Sequence, residues 1–232
     1  MGFATIENRL WHACPTVQGL TPSERVLTCE DCEQFSFRCC QHPDTACHHF
    51  RVFFADGACL NNGFPRSRAG VGIAIGMDED DQFSLAFSEI EGEETARTSQ
   101  IAELRAAIET VKVISAFYEA NKPEHPIRLP GKHRKLMKDN NDVSNECIIA
   151  MDSEYVVNGM TDWIYKWREN GMVNARGFRP ANLDLFLSLD RVITEFEEKG
   201  LATISFWHIP REYNKIADRL AKEAAQRDGM VL

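Results

Sequence analysis

Four carboxylates stand out by where they fall. Asp56 closes the apolar run Val52 to Ala55 inside "RVFFADGACLNNG" (51 to 63), and Asp152 closes "CIIAMD" (147 to 152). Glu103 falls in the first turns of a stretch whose Ile101, Leu104, Ile108 and Val111 recur every three or four residues, one apolar helical face. Asp218 falls early in "YNKIADRLAKEAAQR", away from the face of Ile216, Leu220 and Ala224. A carboxylate at an apolar strand end is costly to bury unless a cation or hydrogen bonds compensate it. Four such groups brought together would repel one another, and a divalent ion resolves that conflict. Hard oxygen donors suit Mg²⁺ or Mn²⁺. Two such ions ~4 Å apart can activate water and stabilise the leaving oxygen of a phosphodiester. Taken singly, each acid also reads as a helix cap or a solvated surface group, because acids favour first helical turns. Two of them at strand ends weaken that simpler reading.

Positioning these groups requires a particular order of elements. Val52 to Asp56 reads as a buried strand ending at the aspartate, and "AGVGIAIGM" (69 to 77) as a second strand whose glycines permit close backbone approach. "QFSLAFSEI" alternates Phe83, Leu85 and Phe87 with smaller or polar residues, a half-buried third strand. A helix capped by Thr98 or Ser99 follows. Residues 121 to 146 break the pattern with Pro123, Pro126, Pro130 and the basic run "KHRKLMK", a long insertion that reads more readily as a solvated loop than as a phosphate track. The strand 147 to 152, helical stretches over 153 to 170 and 183 to 198, the strand "ATISFWHI" (202 to 209) and a terminal helix complete the chain. Three strands, helix, strand, helices, strand and helix predict an α/β fold: three antiparallel strands plus two parallel ones, with helices as crossovers.

Cysteine supplies a second candidate chemistry. Six of the eight cysteines precede residue 48, and residues 1 to 28 show no strong periodicity. "CEDC" (29 to 32) is a C-x₂-C knuckle, followed closely by "CCQH" (39 to 42) and "CHH" (47 to 49). Zn²⁺ takes about four S or N ligands, which this spacing can supply. Cys29 and Cys32 are the strong pair; Cys40 and Cys47 are proposed to complete the set, with Cys39, His42, His48 and His49 as rivals. Free thiols in a loop are the plain alternative. A structural zinc here would clamp the arm onto the first strand, since Phe50 and Arg51 follow directly.

Composition narrows the classes further. With no run of about 18 apolar residues, no membrane span is expected. No apolar secretory segment is visible at the N-terminus, which points to an intracellular protein, nuclear or cytoplasmic. The net charge of −9 argues against nucleic acid as partner, yet Lys166, Arg168, Arg176 and Arg179 are locally basic beside Trp163 and Trp167. Trp167 is expected in the core and Trp163 at the surface. No protein partner is inferred.

The blocks "FADGACLNNG", "AGVGIAIG", "TSQIAELRAAI", "AMDSEYVVNGMTDWIYKW", "GFRPANLDLF" and "NKIADRLAKEAA" resemble, in order, those of type 1 ribonuclease H over about residues 50 to 227. The resemblance implies a ribonuclease H-like five-stranded mixed sheet flanked by helices, here with a Cys/His-rich appendage. The implied division is an arm over 1 to 49 and a catalytic domain over 50 to 228 that carries the insertion. The implied activity is Mg²⁺-dependent endonucleolytic cleavage of the RNA strand of RNA–DNA hybrids. The family's four acids fall on Asp56, Glu103, Asp152 and Asp218, the four singled out above. Positions that feel the RNA 2′-hydroxyls match Cys59, Asn61, Asn62, Ser99, Gln100 and Ser153, and amide side chains suit that work because they donate and accept. Asn61, Asn62 and Gly63 also make an ordinary turn. Tyr155 and Trp163 match a channel for the DNA strand, and Thr98 and Asn182 part of its phosphate pocket. Ala96 stands where that pocket often has arginine, with Arg97 as a neighbouring substitute. The short connection "HIPREYNKIAD" lacks the histidine that many relatives carry before the last helix. A non-catalytic nucleic-acid-binding protein, or a nuclease or integrase of different specificity on the same fold, are the competing readings.

Overall fold

The computed structural model describes residues 8–39, 43–46, 48–64, 66–90, 96–120 and 145–229. Its strands are β1 (Val26–Thr28), β2 (Phe35–Phe37), β3 (Phe50–Leu60), β4 (Arg68–Ala74), β5 (Gln82–Ala86), β6 (Asn145–Met151) and β7 (Ala202–His208). The helices are α1 (Pro22–Arg25), α2 (Ser99–Ala120), α3 (Glu154–Asn158), α4 (Ile164–Glu169), α5 (Leu183–Glu197) and α6 (Lys215–Arg227), with one π-helical segment (Gly159–Trp163) joining α3 to α4. The five expected strands form the centre of the sheet. β3, β4 and β5 are antiparallel neighbours, while β6 runs parallel to β3 and β7 parallel to β6. The insertion expected over 121–146 lies outside the described residues up to 144; β6 begins at Asn145.

One boundary differs from the sequence reading. β3 does not end at Asp56 but continues to Leu60, paired with β4 throughout, Asp56 opposite Gly72 and Leu60 opposite Arg68. What stops near Asp56 is the other neighbour: the pairing with β6 runs from Phe50–Glu146 to Phe54–Ala150 and goes no further. A polar residue in an apolar run marks a notch in the sheet here, with β3 left unpaired on one edge.

The N-terminal segment is more ordered than its weak periodicity suggests. β1 and β2 form a hairpin, and β2 lies antiparallel to the start of β3 with Ser36 opposite Arg51. Leu10 bridges Phe206 on the outer edge of β7, Trp11 N–H donating to Phe206 O at 2.8 Å and Phe206 N–H to Arg9 O at 2.7 Å. The Arg9 guanidinium makes two hydrogen bonds to Glu197 of α5, at 2.7 and 3.0 Å. Exposed strand edges invite unwanted pairing, and these contacts cover two of them.

Two apolar layers result. On one face Phe53, Val71, Ile149 and Phe206 pack under α2 and α5, whose Leu104, Ile108, Phe186 and Leu189 point inward. On the other, Val52, Ile148, Ala150 and Trp207 are covered by Leu220 of α6 and by Val17, Phe35 and Phe37 from the N-terminal segment. Trp11 and Trp207 each meet the Phe37 ring edge-on, with centroids 5.1 Å apart. Phe37→Ala is therefore expected to cost about 3–5 kcal/mol in the single main unfolding transition, followed by urea denaturation. An unchanged main transition would mean that the N-terminal segment packs independently of the sheet.

Candidate functional site

Two glycines set the geometry around Asp56. A Cβ on Gly57 would lie 2.1 Å from the backbone carbon of Ala102, so only glycine lets α2 dock this closely beside Asp56. Glu103 is the next residue of that helix, and its carboxylate accepts a hydrogen bond from Gly57 N–H. Across the β3–β4 ladder, a Cβ on Gly72 would lie 2.1 Å from Ala217 O. That close approach brings α6, and with it Asp218, over the strand position opposite Asp56. Asp152 follows the last residue of β6, just beyond the notch.

The four expected carboxylates thus come from four elements to one place. Asp56 is buried and within hydrogen-bonding reach of Asp152. Burial, followed by the charges of Asp152 and Asp218, pushes the Asp56 carboxyl up to about 7. Burial first, with Asp56 and Asp152 adding to it, also holds Glu103 well above the usual carboxylate range. Asp218 behaves differently. Partial burial alone would raise it, but hydrogen bonds from Lys222 (2.6 Å) and Arg211 (2.8 Å) prevail and hold it low. Glu103 Oε2 is buried with no hydrogen-bond partner among the described residues. Carboxylate oxygens are hard donors of the kind Mg²⁺ or Mn²⁺ takes, and a cation would have to draw them together, since no three of the four lie within 4.8 Å of one another.

Asn214 escapes a motif search aimed at charged residues. It lies just before α6 and is 1% exposed. Its amide Nδ2 donates to Asp152 Oδ1 at 2.8 Å and to Ala55 O at 2.9 Å. It therefore ties the Asp152 carboxylate to the backbone of β3 one residue before Asp56. An asparagine at a helix start is an ordinary capping signal, which is how the sequence disguises it.

The expected substrate-contact residues form a linked rim. Thr98 caps α2, its hydroxyl accepting from Ile101 N–H at 3.2 Å, while Ser99 and Gln100 are exposed at the helix head. Asn182, in a left-handed backbone conformation (φ 55°), donates to Gln100 Oε1 (3.4 Å) and to the Tyr155 hydroxyl (3.1 Å). Tyr155 donates in turn to Ala181 O at 3.1 Å, and its ring lies 5.7 Å from that of Trp163. Ser153 immediately precedes α3. Cys59 Sγ donates to Arg97 O at 3.3 Å. Asn61 (φ 55°) and Asn62 are exposed in the β3–β4 turn, so the turn geometry and outward amides coexist. Trp167 is buried, whereas Trp163 is half-buried; both line a cleft of about 410 Å³ with Tyr155, Asn174 and Pro180.

The basic stripe is weaker than its composition suggests. Lys166 pairs with Asp162 (2.7 Å), Arg168 with Asp190, and Arg179 with Asp184 (2.6 Å). The Arg97 guanidinium is held by Asp228, whose carboxylate also accepts from Ala69 and Ser88 N–H. In the cysteine cluster, Cys29 and Cys32 converge with His48; Cys40, Cys47 and His42 lie outside the described residues. No helix among the described residues is long and apolar enough to cross a membrane.

The chain is similar to known proteins. The family model described as RNase H matches residues 133–226. The ribonuclease H of Erythrobacter litoralis (strain HTCC2594) is 31% identical over 177 residues, which cover 74% of this chain and 93% of that protein. Ribonuclease H1 of Homo sapiens is 25% identical over 182 residues, covering 77% of this chain and 51% of the human protein. The chain thus spans about half the length of the mammalian relatives it matches. Among solved structures, the foamy viral protease-reverse transcriptase in complex with RNA/DNA hybrid aligns with a TM-score of 0.50 at 19% identity, over 75% of this chain and 20% of that one, a likeness of fold.

The crowded carboxylates give a pH-dependent stability. Asp56 titrates near 7 when folded against about 4 when unfolded, so its favourable contribution is full below about 4 and is lost as pH rises through about 7. Without added Mg²⁺, the thermal midpoint is expected to fall as pH rises through that window, and Asp56→Asn to make the fall shallower, with Glu103, also raised by burial, supplying the remainder. Added Mg²⁺ should raise the midpoint more at the alkaline end, where the carboxylates are deprotonated. An Asp56→Asn protein with the wild-type pH slope would contradict this.

Proposed function

The chain belongs to the ribonuclease H family, and on that premise we propose that it is a metal-dependent endoribonuclease cleaving the RNA strand of RNA–DNA hybrids. What supports the reading is that Asp56 is coupled by charge to Asp152, Asp218 and Glu103, and that one Glu103 oxygen is buried and unpartnered. These four residues would hold Mg²⁺ or Mn²⁺, two ions per site, which when bound supply activation of water and charge stabilisation at the leaving oxygen.

The remaining work falls to the chain itself. Asn214 fixes the Asp152 carboxylate by a hydrogen bond anchored on Ala55 O, so its orientation does not drift when its neighbours change charge. Gly57 N–H donates to the Glu103 carboxylate, one oxygen of which stays buried without a hydrogen-bond partner. Arg211 and Lys222 keep Asp218 anionic at the rim. In this reading Cys59, Asn61, Asn62, Ser99, Gln100 and Ser153 take the RNA strand by its 2′-hydroxyls, the feature that separates RNA from DNA. Tyr155 and Trp163 support the DNA strand, with Thr98 and Asn182 at one of its phosphates. The linked hydrogen bonds Gln100–Asn182–Tyr155 hold the two sides in fixed register. An intracellular setting, nuclear or cytoplasmic, belongs to the same reading.

A labelled RNA–DNA hybrid, duplex RNA and duplex DNA, each with Mg²⁺ or Mn²⁺, test it. Cleavage is expected of the hybrid alone, within the RNA strand. Asp56→Asn should abolish it while leaving the fold intact by circular dichroism. Asn214→Ala should retain the carboxylates yet lose about 10- to 100-fold in activity or metal affinity. Binding of hybrid without cleavage under either metal would favour a non-catalytic role.

A further inference from the structure

A second cluster lies away from the carboxylates. Ligand atoms of Cys29, Cys32 and His48 all fall within 4.8 Å of one another, and no other group of three His, Cys, Asp or Glu ligand atoms is so close among the described residues. Cys32 Sγ and His48 Nε2 are 3.6 Å apart. Around a tetrahedral Zn²⁺, Zn–S of ~2.3 Å and Zn–N of ~2.0–2.1 Å place a sulfur and a nitrogen roughly 3.6 Å apart. A thiol–imidazole hydrogen bond alone would account for Cys32 and His48, but not for Cys29 meeting both.

The surroundings are built for that convergence. Backbone N–H groups of Asp31 and Cys32 donate to the Cys29 sulfur, and that of Gln34 to the Cys32 sulfur. The chain turns tightly after the knuckle, with Glu33 N–H donating to Cys29 O at 3.0 Å and Glu33 in the left-handed region (φ 54°). His48 is also left-handed (φ 55°), a conformation that residues with a Cβ rarely adopt without compensation. The buried Ser36 hydroxyl lies 3.3 Å from His48 Nδ1, which orients the ring and leaves Nε2 facing the sulfurs. Such an outer hydrogen bond is the usual support of a metal-binding imidazole.

We propose that Cys29, Cys32 and His48 bind a structural Zn²⁺ that bolts the β1–β2 turn to the segment entering β3. The fourth vertex falls to a ligand outside this trio. Arg51, the second residue of β3, reinforces the joint by donating to Gln34 Oε1 at 2.6 Å. The metal thereby fixes the N-terminal covering of the second sheet face, on the strand that carries Asp56. The site is independent of the nuclease reading, and its test does not use cleavage.

The full chain, purified without chelator, is expected to contain about one zinc by plasma mass spectrometry. Replacement with Co²⁺ should give a thiolate-to-metal charge-transfer band and the strong visible bands of tetrahedral cobalt. His48→Ala and Cys29→Ser should each lower the zinc content and the thermal midpoint, and His48→Ala should alter the cobalt spectrum, whereas His12→Ala, exposed on the same segment, should change neither. A wild-type chain with less than half a zinc and no cobalt–thiolate band would overturn the proposal even where the variants fail to fold. Full zinc content and an unaltered cobalt spectrum in His48→Ala would remove the histidine from the site.

Discussion

Asp56, Glu103 and Asp152 repel one another in a place from which they cannot retreat, and most of the structure can be understood as what holds them there. Gly57 presses against the backbone of α2, and Gly72 against that of α6. Both helices bury large apolar faces elsewhere, α2 on one side of the sheet and α6 on the other. Relaxing the carboxylates apart would mean pulling those faces from the core, at roughly 25 cal/mol per Å² of apolar surface re-exposed. The core therefore finances an unfavourable electrostatic arrangement, in which burial first and the neighbouring charges second raise the proton affinity of Asp56 and Glu103. A divalent cation relieves the same repulsion that protons relieve, so metal binding and proton binding compete at one locus.

Where the sheet loses a neighbour matters as much as where the acids fall. β6 stops pairing with β3 at Phe54, leaving Asp56 on a strand held by β4 alone. Backbone groups and side chains at such a notch face outward from the sheet without leaving it. Asn214 spans the gap, bonding Ala55 O on one side and Asp152 on the other. It replaces a missing strand contact with a side chain and aligns a carboxylate in doing so.

The second face of the sheet poses a coverage problem. α6 reaches β3, β4 and β5, but Ile148, Ala150 and Trp207 need more cover than it gives. The N-terminal segment supplies it with Val17, Phe35, Phe37 and Trp11, and seals the β7 edge through Arg9 and Leu10. The Arg9–Glu197 pair is nearly buried and bidentate, geometry in which an ion pair fixes position more than it adds stability.

Much of this was legible in the chain. Alternation in β5 and the three-to-four repeats of α2 and α6 reflect burial on one side of an element, which local pattern records directly. The four acids could be singled out because polar groups closing apolar runs are costly and so demand a reason. Other features depend on residues distant in sequence. The strand β3 seemed to end at Asp56 because a carboxylate resembles a boundary; only pairing with β4 carries it to Leu60. Of the cations near Trp163, Arg168 is paired by a distant residue, Asp190, whereas Lys166–Asp162 and Arg179–Asp184 are local pairs. His48 ranked as a rival ligand because spacing orders cysteines by motif, whereas the turn after Glu33 and the left-handed backbone at His48 decide which atoms meet. Local patterning dictates the five central strands and the long helices, but not the β1–β2 hairpin, which forms only against β3, and it marks which residues are too costly to bury idly. Tertiary structure alone decided which of them share a dielectric, because charge coupling and ligand geometry depend on distances of a few ångströms between segments that the chain keeps far apart.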